Sequence, residues 1–243
     1  FCWSESSSEY LILKMNNYRS EIKFVCYKQN YSLIKNWIRF NKFNFFKEYD
    51  DRNINNIYFD SLDYKAFNDN LVGLPSRLKV RYRWYGNLFS NDKKNEGSLE
   101  FKFKKNIYGY KKIFKISDLT LNLNSNWKDI KNKILKKLTP EYKILFDRNS
   151  EKILINRYKR EYFISRNKKL RVTLDRNIEI FDQRTALIKP NFKFKNFTQD
   201  YLVIEFKFNK EDKVFLNDLD INIPIKASRN SKYINGVRSI LGK

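Results

Sequence analysis

Apolar and polar residues alternate one for one along most of this chain, the pattern of a strand whose two faces meet different surroundings. The alternation returns over residues 18–26, 43–49, 56–59, 77–85, 98–105, 111–116, 152–165, 170–175, 177–181 and 201–208. Strands recurring this regularly predict an antiparallel sheet or barrel. Apolar residues at near-helical spacing interrupt the alternation over 32–40 (Leu33, Ile34, Trp37, Ile38), 62–71 and 128–138 (Ile130, Ile134, Leu135, Leu138), and a last helix is expected over 231–241. The class is α+β, dominated by strands. No Gly/Ser-rich or Pro-rich linker and no fixed-period repeat divides the sequence, so residues 17–243 are expected to form one domain. Residues 1–16 are expected to be an N-terminal extension, because the one methionine, Met15, stands just before the first strand.

The polar faces are unusual. Arg77, Lys79, Arg81 and Arg83 alternate with Leu78, Val80 and Tyr82, so one strand carries four cations on one face and an apolar stripe on the other. Neighbours on one strand face stand roughly 7 Å apart, where two like charges repel by about 2 kcal/mol at an effective dielectric near 20. Such a row calls for acidic partners or a bound polyanion. If the sheet closes, three helical segments are available to cover an apolar exterior, which favours an eight-stranded barrel with a charged interior wide enough for side chains or one threaded ligand. The competing arrangement is an open sheet with a solvated charged face.

Charge extends the picture. Lys and Arg number 50 against 27 Asp and Glu, a net +23, part of which follows from a Lys/Asn/Ile-rich composition. That excess favours polyphosphate, nucleic acid or acidic lipid as a partner. Histidine is absent, which excludes Ser-His and Cys-His nucleophiles, imidazole acid–base chemistry and His-ligated zinc. Cys2 and Cys26 form no C-x-x-C pair and fit ordinary thiols in a reducing cytoplasm, the expected location. A metal would sit on oxygen ligands, as magnesium or manganese does. No run of 18 apolar residues occurs, so no membrane-spanning helix is expected.

Candidate chemistry sits on the same alternating faces. Glu21-x-Lys23, Glu100-x-Lys102-x-Lys104 and Glu205-x-Lys207 each place a carboxylate and lysine on one strand face. One such pair alone is an ordinary solvent-facing contact, but three within apolar flanks suggest carboxylates that neutralise a cation or hold a divalent metal against phosphate. Arg157, Tyr158 and Arg160, then Arg171-x-Thr173-x-Asp175, add a second cationic set, and the planar fork of arginine suits phosphate oxygens. Ser231 opens the last helix, where free N–H groups attract anions and Lys232 adds a charge, although on residues 229–233 alone a plain N-cap with a surface lysine is the better reading. Most aromatic residues alternate with the charges and so face away from them, against nucleic-acid binding.

Eight of these segments, in order, resemble the vacuolar transporter chaperone (VTC) domain, the polyphosphate polymerase branch of the triphosphate tunnel metalloenzymes. They are R-x-E-x-K at 19–23, IYFDS at 57–61, R-x-K-x-R-x-R at 77–83, LEFKFK at 99–104, RYKREYF at 157–163, R-x-T-x-D at 171–175, VIEFKF at 203–208 and SKY at 231–233. The resemblance spans about residues 17–241. It implies an antiparallel eight-stranded tunnel with inward Lys, Arg and Glu and helices packed outside. It also implies transfer of the γ-phosphate of ATP onto a growing polyphosphate chain, with Mn2+ or Mg2+ as cofactor. By motif, phosphate would be bound by Lys23, Arg81, Arg83, Lys102, Lys111 or Lys112, Tyr158, Arg160, Arg171, Ser231 and Lys232. Arg81, Arg83, Arg160 and Arg171 would neutralise charge on the moving group, and Glu205 would bind the metal. Hydrolases of the wider superfamily carry E-x-E-x-K on the first strand. Arg19 replaces the first carboxylate here, which favours the polymerase branch. The alternatives are a triphosphatase or polyphosphate-cleaving enzyme on the same tunnel, and a non-catalytic module binding polyphosphate or inositol phosphates.

Overall fold

In the computed structural model, residues 19–89, 96–106, 108–117, 119, 121–198, 200–209, 211–212, 223 and 225–242 are described. The expected extension over residues 1–16, with Cys2 and Met15, lies outside them. Eight strands form one antiparallel sheet: β1 (Arg19–Tyr27), β2 (Phe46–Asp60), β3 (Ser76–Tyr85), β4 (Gly97–Lys105), β5 (Tyr108–Ile116), β6 (Glu151–Ile164), β7 (Arg171–Asp182) and β8 (Tyr201–Asn209). Their order is β1-β8-β7-β6-β2-β3-β4-β5. Among the described residues five α-helices accompany them: α1 (Tyr31–Phe40), α2 (Lys65–Val72), α3 (Trp127–Lys137), α4 (Pro140–Asp147) and α5 (Lys232–Leu241).

Ten alternating segments become eight strands for local reasons. β7 runs through Asn177, whose φ of 51° accompanies a register shift against β6, so a bulge divides the pattern without ending the strand. β2 continues through a polar stretch because the amides of the buried Asn55 and Asn56 find acceptors: Asn55 Nδ2 donates to the Gly86 carbonyl at 3.2 Å, and Asn56 Nδ2 to Asn156 Oδ1 at 2.8 Å, although Asn55 Oδ1 accepts no hydrogen bond. α4 has no counterpart in the expected helices. It starts on Pro140, which suits a first helical position, and buries only Phe146.

One sheet face is apolar and covered by helices. α3 and α4 pack over Ile57, Val80, Tyr82, Leu99, Phe101 and Ile155, and α1 packs over Phe24, Val172, Leu174, Ile204 and Phe206. Tyr31 Oη and Lys35 Nζ of α1 donate to the buried Glu161 at 2.8 and 2.6 Å, fastening that helix. Gly97 is required by closeness: a Cβ there would meet Tyr82 Oη at 1.9 Å.

The other face curls. Lys23 of β1 donates to the Asn230 carbonyl at 3.3 Å and Lys79 of β3 to Ser231 Oγ at 3.0 Å, so strands far apart in the ladder meet over two consecutive residues. β1 and β5 remain the two ends of the ladder; the expected barrel is a curled half-barrel rather than a hydrogen-bonded closed one. Part of this concave face is apolar. Ile54, Tyr58, Tyr158, Ile178, Ile180 and Val203 pack against Tyr233, Ile234 and Val237 of α5 and Phe67 of α2. α5 therefore sits against the concave face instead of outside the sheet. Asp60, fully buried, accepts from the Ala66 and Phe67 N–H groups at the start of α2 and from Tyr233 Oη, which ties α2 and α5 together.

Candidate functional site

The register decides which side chains share the concave face. Across β3 and β4, Arg77 faces Lys104, Lys79 faces Lys102, Arg81 faces Glu100 and Arg83 faces Ser98. Lys102 in turn faces Lys111 of β5, while Lys112 faces Phe101. Lys112 thus lies on the apolar face, its ammonium 5.7 Å from the Phe114 ring centre, and only Lys111 joins the other cations. On the far side, Lys23 faces Glu205, Glu205 faces Thr173, and Asp175 faces Arg160.

These groups arrange by depth. At the bottom, Asp175 is fully buried and accepts from Arg160 Nε and Nη2 at 2.5 and 2.7 Å and from Lys232 Nζ. Both cations also lie over the Tyr158 ring, at 5.4 Å for Arg160 and 4.6 Å for Lys232. Burial pushes the Asp175 carboxyl up, but Arg160 and Lys232 outweigh it and hold the group below the usual carboxylate range. The adjoining wall belongs to Glu100. Burial raises its carboxyl, yet Arg81, Arg83 and Lys111 bring it down to about 2. Arg81 Nε donates to Glu100 Oε2 at 2.7 Å, and Arg83 Nε to Asn56 Oδ1 at 2.9 Å. Both guanidinium planes are thereby held by acceptors on neighbouring strands.

Glu205 is buried and accepts from Lys207 at 2.6 Å. Burial works against its charge, but Lys207, Lys23 and Arg160 hold it well below the ordinary range. The Thr173 hydroxyl beside it is buried with no hydrogen-bond partner. Among the described residues no three of Asp, Glu or Cys cluster closely enough to cage a metal. A hard divalent cation fits here only as one that takes an oxygen from Glu205, with Thr173 Oγ1 alongside, and draws its remaining ligands from phosphate and water.

Sequence-predicted residues divide accordingly. Lys23, Arg81, Arg83, Lys102, Lys111, Tyr158, Arg160, Glu205, Ser231 and Lys232 belong to the concave face or to the start of α5 beside it. Arg171 shares the face but stands at the first position of β7, 46% exposed, with Glu48 as its ion partner at 3.4 Å. Ser231 is both N-cap of α5 and acceptor from Lys79. Three participants carried no role in the sequence. Tyr58 stacks on Tyr233 at 5.2 Å and accepts from Arg81 Nη1 at 3.4 Å. Asn56 holds Arg83, and Asp175 anchors Arg160 and Lys232. Alternation places all three on the charged face, but only the register reveals their partners.

A VTC domain family model matches residues 18–241. No curated protein matches the chain significantly. Solved structures similar to it include the PH1819 protein from Pyrococcus horikoshii OT3, at 15% identity over 90% of this chain and 97% of that one, TM-score 0.46. An adenylate cyclase candidate from Vibrio parahaemolyticus is similar at 11% identity over 90% and 98%, TM-score 0.49. Among the described residues no helix is long and apolar enough to cross a membrane.

Proposed function

The chain belongs to the VTC domain family, and on that premise we propose that it is a polyphosphate polymerase-like phosphotransferase, moving the γ-phosphate of ATP onto a growing polyphosphate chain. The observation that carries this reading is the row of cations at Lys111, Lys102 and Lys79, continued along β3 by Arg81 and Arg83. Carboxylates on this face are outnumbered, and a flexible phosphate chain can follow a row that crosses from β5 to β3 and then turns along β3.

Phosphoryl transfer asks a protein for in-line positioning and neutralisation of charge, not for a side-chain nucleophile. The attacking group is a terminal oxygen of phosphate or polyphosphate, already ionised at neutral pH. It bonds to the γ-phosphorus as the bond to the β–γ bridging oxygen breaks, and ADP leaves with that electron pair. No proton has to move through imidazole, so the lack of histidine is no handicap. Arg81 and Arg83, held by Glu100 and Asn56, present oriented forks to the equatorial oxygens. Arg160 and Lys232, fixed on Asp175, supply positive potential from below. Mn2+ or Mg2+ held at Glu205 would neutralise phosphate charge when bound.

Incubation with ATP and Mn2+ or Mg2+ tests the proposal. Long acid-labile chains and ADP are expected; free phosphate without chains would identify a cleaving enzyme, and tight binding without turnover a binding module. The register makes a further distinction. Lys111→Ala is expected to weaken binding of inorganic tripolyphosphate about threefold to tenfold, whereas Lys112→Ala, on the opposite face, leaves it within about twofold. Calorimetric titration of the two variants checks this, and equal losses would refute the assignment of faces.

A further inference from the structure

Lys79 occupies the centre of the cationic row without a counterion. Among the described residues its ammonium makes no ion pair, and its hydrogen bond goes to the neutral Ser231 Oγ at 3.0 Å. With its amide turned to suit its donors, Asn70 of α2 offers a second neutral acceptor at 3.1 Å. Its charged surroundings are cationic: Arg77 and Arg81 on β3, Lys102 directly across on β4 and Lys23 from β1. The carboxylates of this face are engaged elsewhere: Glu21 with Lys23, Glu100 with Arg81, Glu205 with Lys207, and Asp175 with Arg160 and Lys232. Burial first, then Lys102, Arg77, Lys23 and Arg81, push the Lys79 ammonium down to about 7.

We propose that seating a phosphate chain on this face is coupled to uptake of one proton by Lys79. The coupling rests on the reading of this face as a phosphate-chain site. In the free protein near neutral pH the amine is shared between its two forms. A polyanion laid along Lys102, Lys79 and Arg81 replaces a field of like charges with one of opposite sign, so the amine lone pair takes a proton from solvent and becomes a donor to phosphate oxygen. The linkage has a definite sign. Above pH 7 binding must bring a proton with it, and affinity falls as pH rises until the amine of the bound state also titrates. Lys79 therefore adds to the affinity only when a polyanion can restore its charge.

The test is calorimetric titration of inorganic tripolyphosphate into the metal-free protein at pH 8, in two phosphate-free buffers of different ionisation enthalpy. With the amine near 7, wild type is expected to take up about 0.9 proton per bound chain more than Lys79→Arg, whose guanidinium stays charged. Between pH 7.5 and 8.5 the wild-type Kd should weaken about eightfold more than that of Lys79→Arg. Lys79→Met, which removes the group, should bind more weakly than wild type at pH 7 and also lack the extra proton. Subtracting the variants removes the ionisation of the phosphate itself. Equal proton counts and equal pH slopes in all three proteins would overturn the inference, and chain synthesis by the wild type would then leave the functional reading standing. Proton-linked binding with no transfer of phosphate would do the opposite, sustaining the coupling at Lys79 and removing the polymerase. A natively folded wild type that binds no tripolyphosphate would overturn both.

Discussion

Asp175→Asn lowers the stability of the protein by about 3–5 kcal/mol, the cost of leaving buried charge uncompensated. For a domain of this size that corresponds to a fall in Tm on the order of 10 °C. Asparagine keeps the shape, so the loss isolates the charge. Arg160 and Lys232 would remain over one Tyr158 ring with no anion between them. The carboxylate also joins β6, β7 and α5 through those two partners, so its removal loosens the helix that plugs the concave face. Thermal and urea denaturation measure the effect, and inorganic tripolyphosphate should restore part of it by supplying the missing charge. A Tm within about 2 °C of wild type, under 1 kcal/mol at this size, would show that Lys232 simply turns to solvent. The same carboxylates set the acid limit. Asp175 and Glu100 are lowered in the folded state, Glu100 to about 2, so their stabilisation is complete above the ordinary carboxylate range near 4 and is lost as pH falls through the folded values.

Much of this was legible because a period-two pattern names a strand and its faces together. Among the described residues, all eight strands and four of the five α-helices coincide with expected segments. What alternation cannot supply is a neighbour in another strand. Glu21 and Glu205 do hold the lysines two residues on, at 2.6 Å in both cases. The third pair of that form breaks. Glu100 turns to Arg81 at 2.7 Å and Lys111 at 3.5 Å, and among the described residues Lys102 makes no ion pair. That exchange concentrates spare charge around Lys79, and it depends on β4 lying between β3 and β5. The Lys111–Lys112 doublet poses the same problem: two adjacent lysines must face opposite sides, and only the register chooses. Asp60 lay inside a resembling motif with no role attached, because its partners on α2 and α5 are distant in sequence or hidden by a turn. The closed barrel favoured by the sequence proved to be a half-barrel, because whether β1 and β5 pair depends on how far the whole sheet curls and not on either strand alone.

Glu205→Gln is expected to cut turnover at least about 100-fold while the fold survives. The substitution keeps the shape of a side chain packed between Lys23 and Thr173 on the neighbouring strands, and Lys207, its ion partner, is 35% exposed and can hydrate. What disappears is an oxygen anion held ionised by Lys207, Lys23 and Arg160. A neutral carboxamide is a far poorer ligand for a hard cation, so the Mn2+ concentration giving half-maximal activity should rise at least about tenfold, one decade in affinity being about 1.4 kcal/mol. Removing a negative charge from a cationic face should leave metal-free tripolyphosphate binding as tight as in wild type or tighter. The variant therefore separates two functions that a simple loss of structure would damage together: phosphate affinity is kept while metal affinity and rate fall. Electron paramagnetic resonance of added Mn2+ reports the metal independently of turnover. Full activity with an unchanged Mn2+ requirement would remove Glu205 from the metal site. Loss of metal-free phosphate binding alongside activity would instead make it a structural counterion for Lys23 and Lys207.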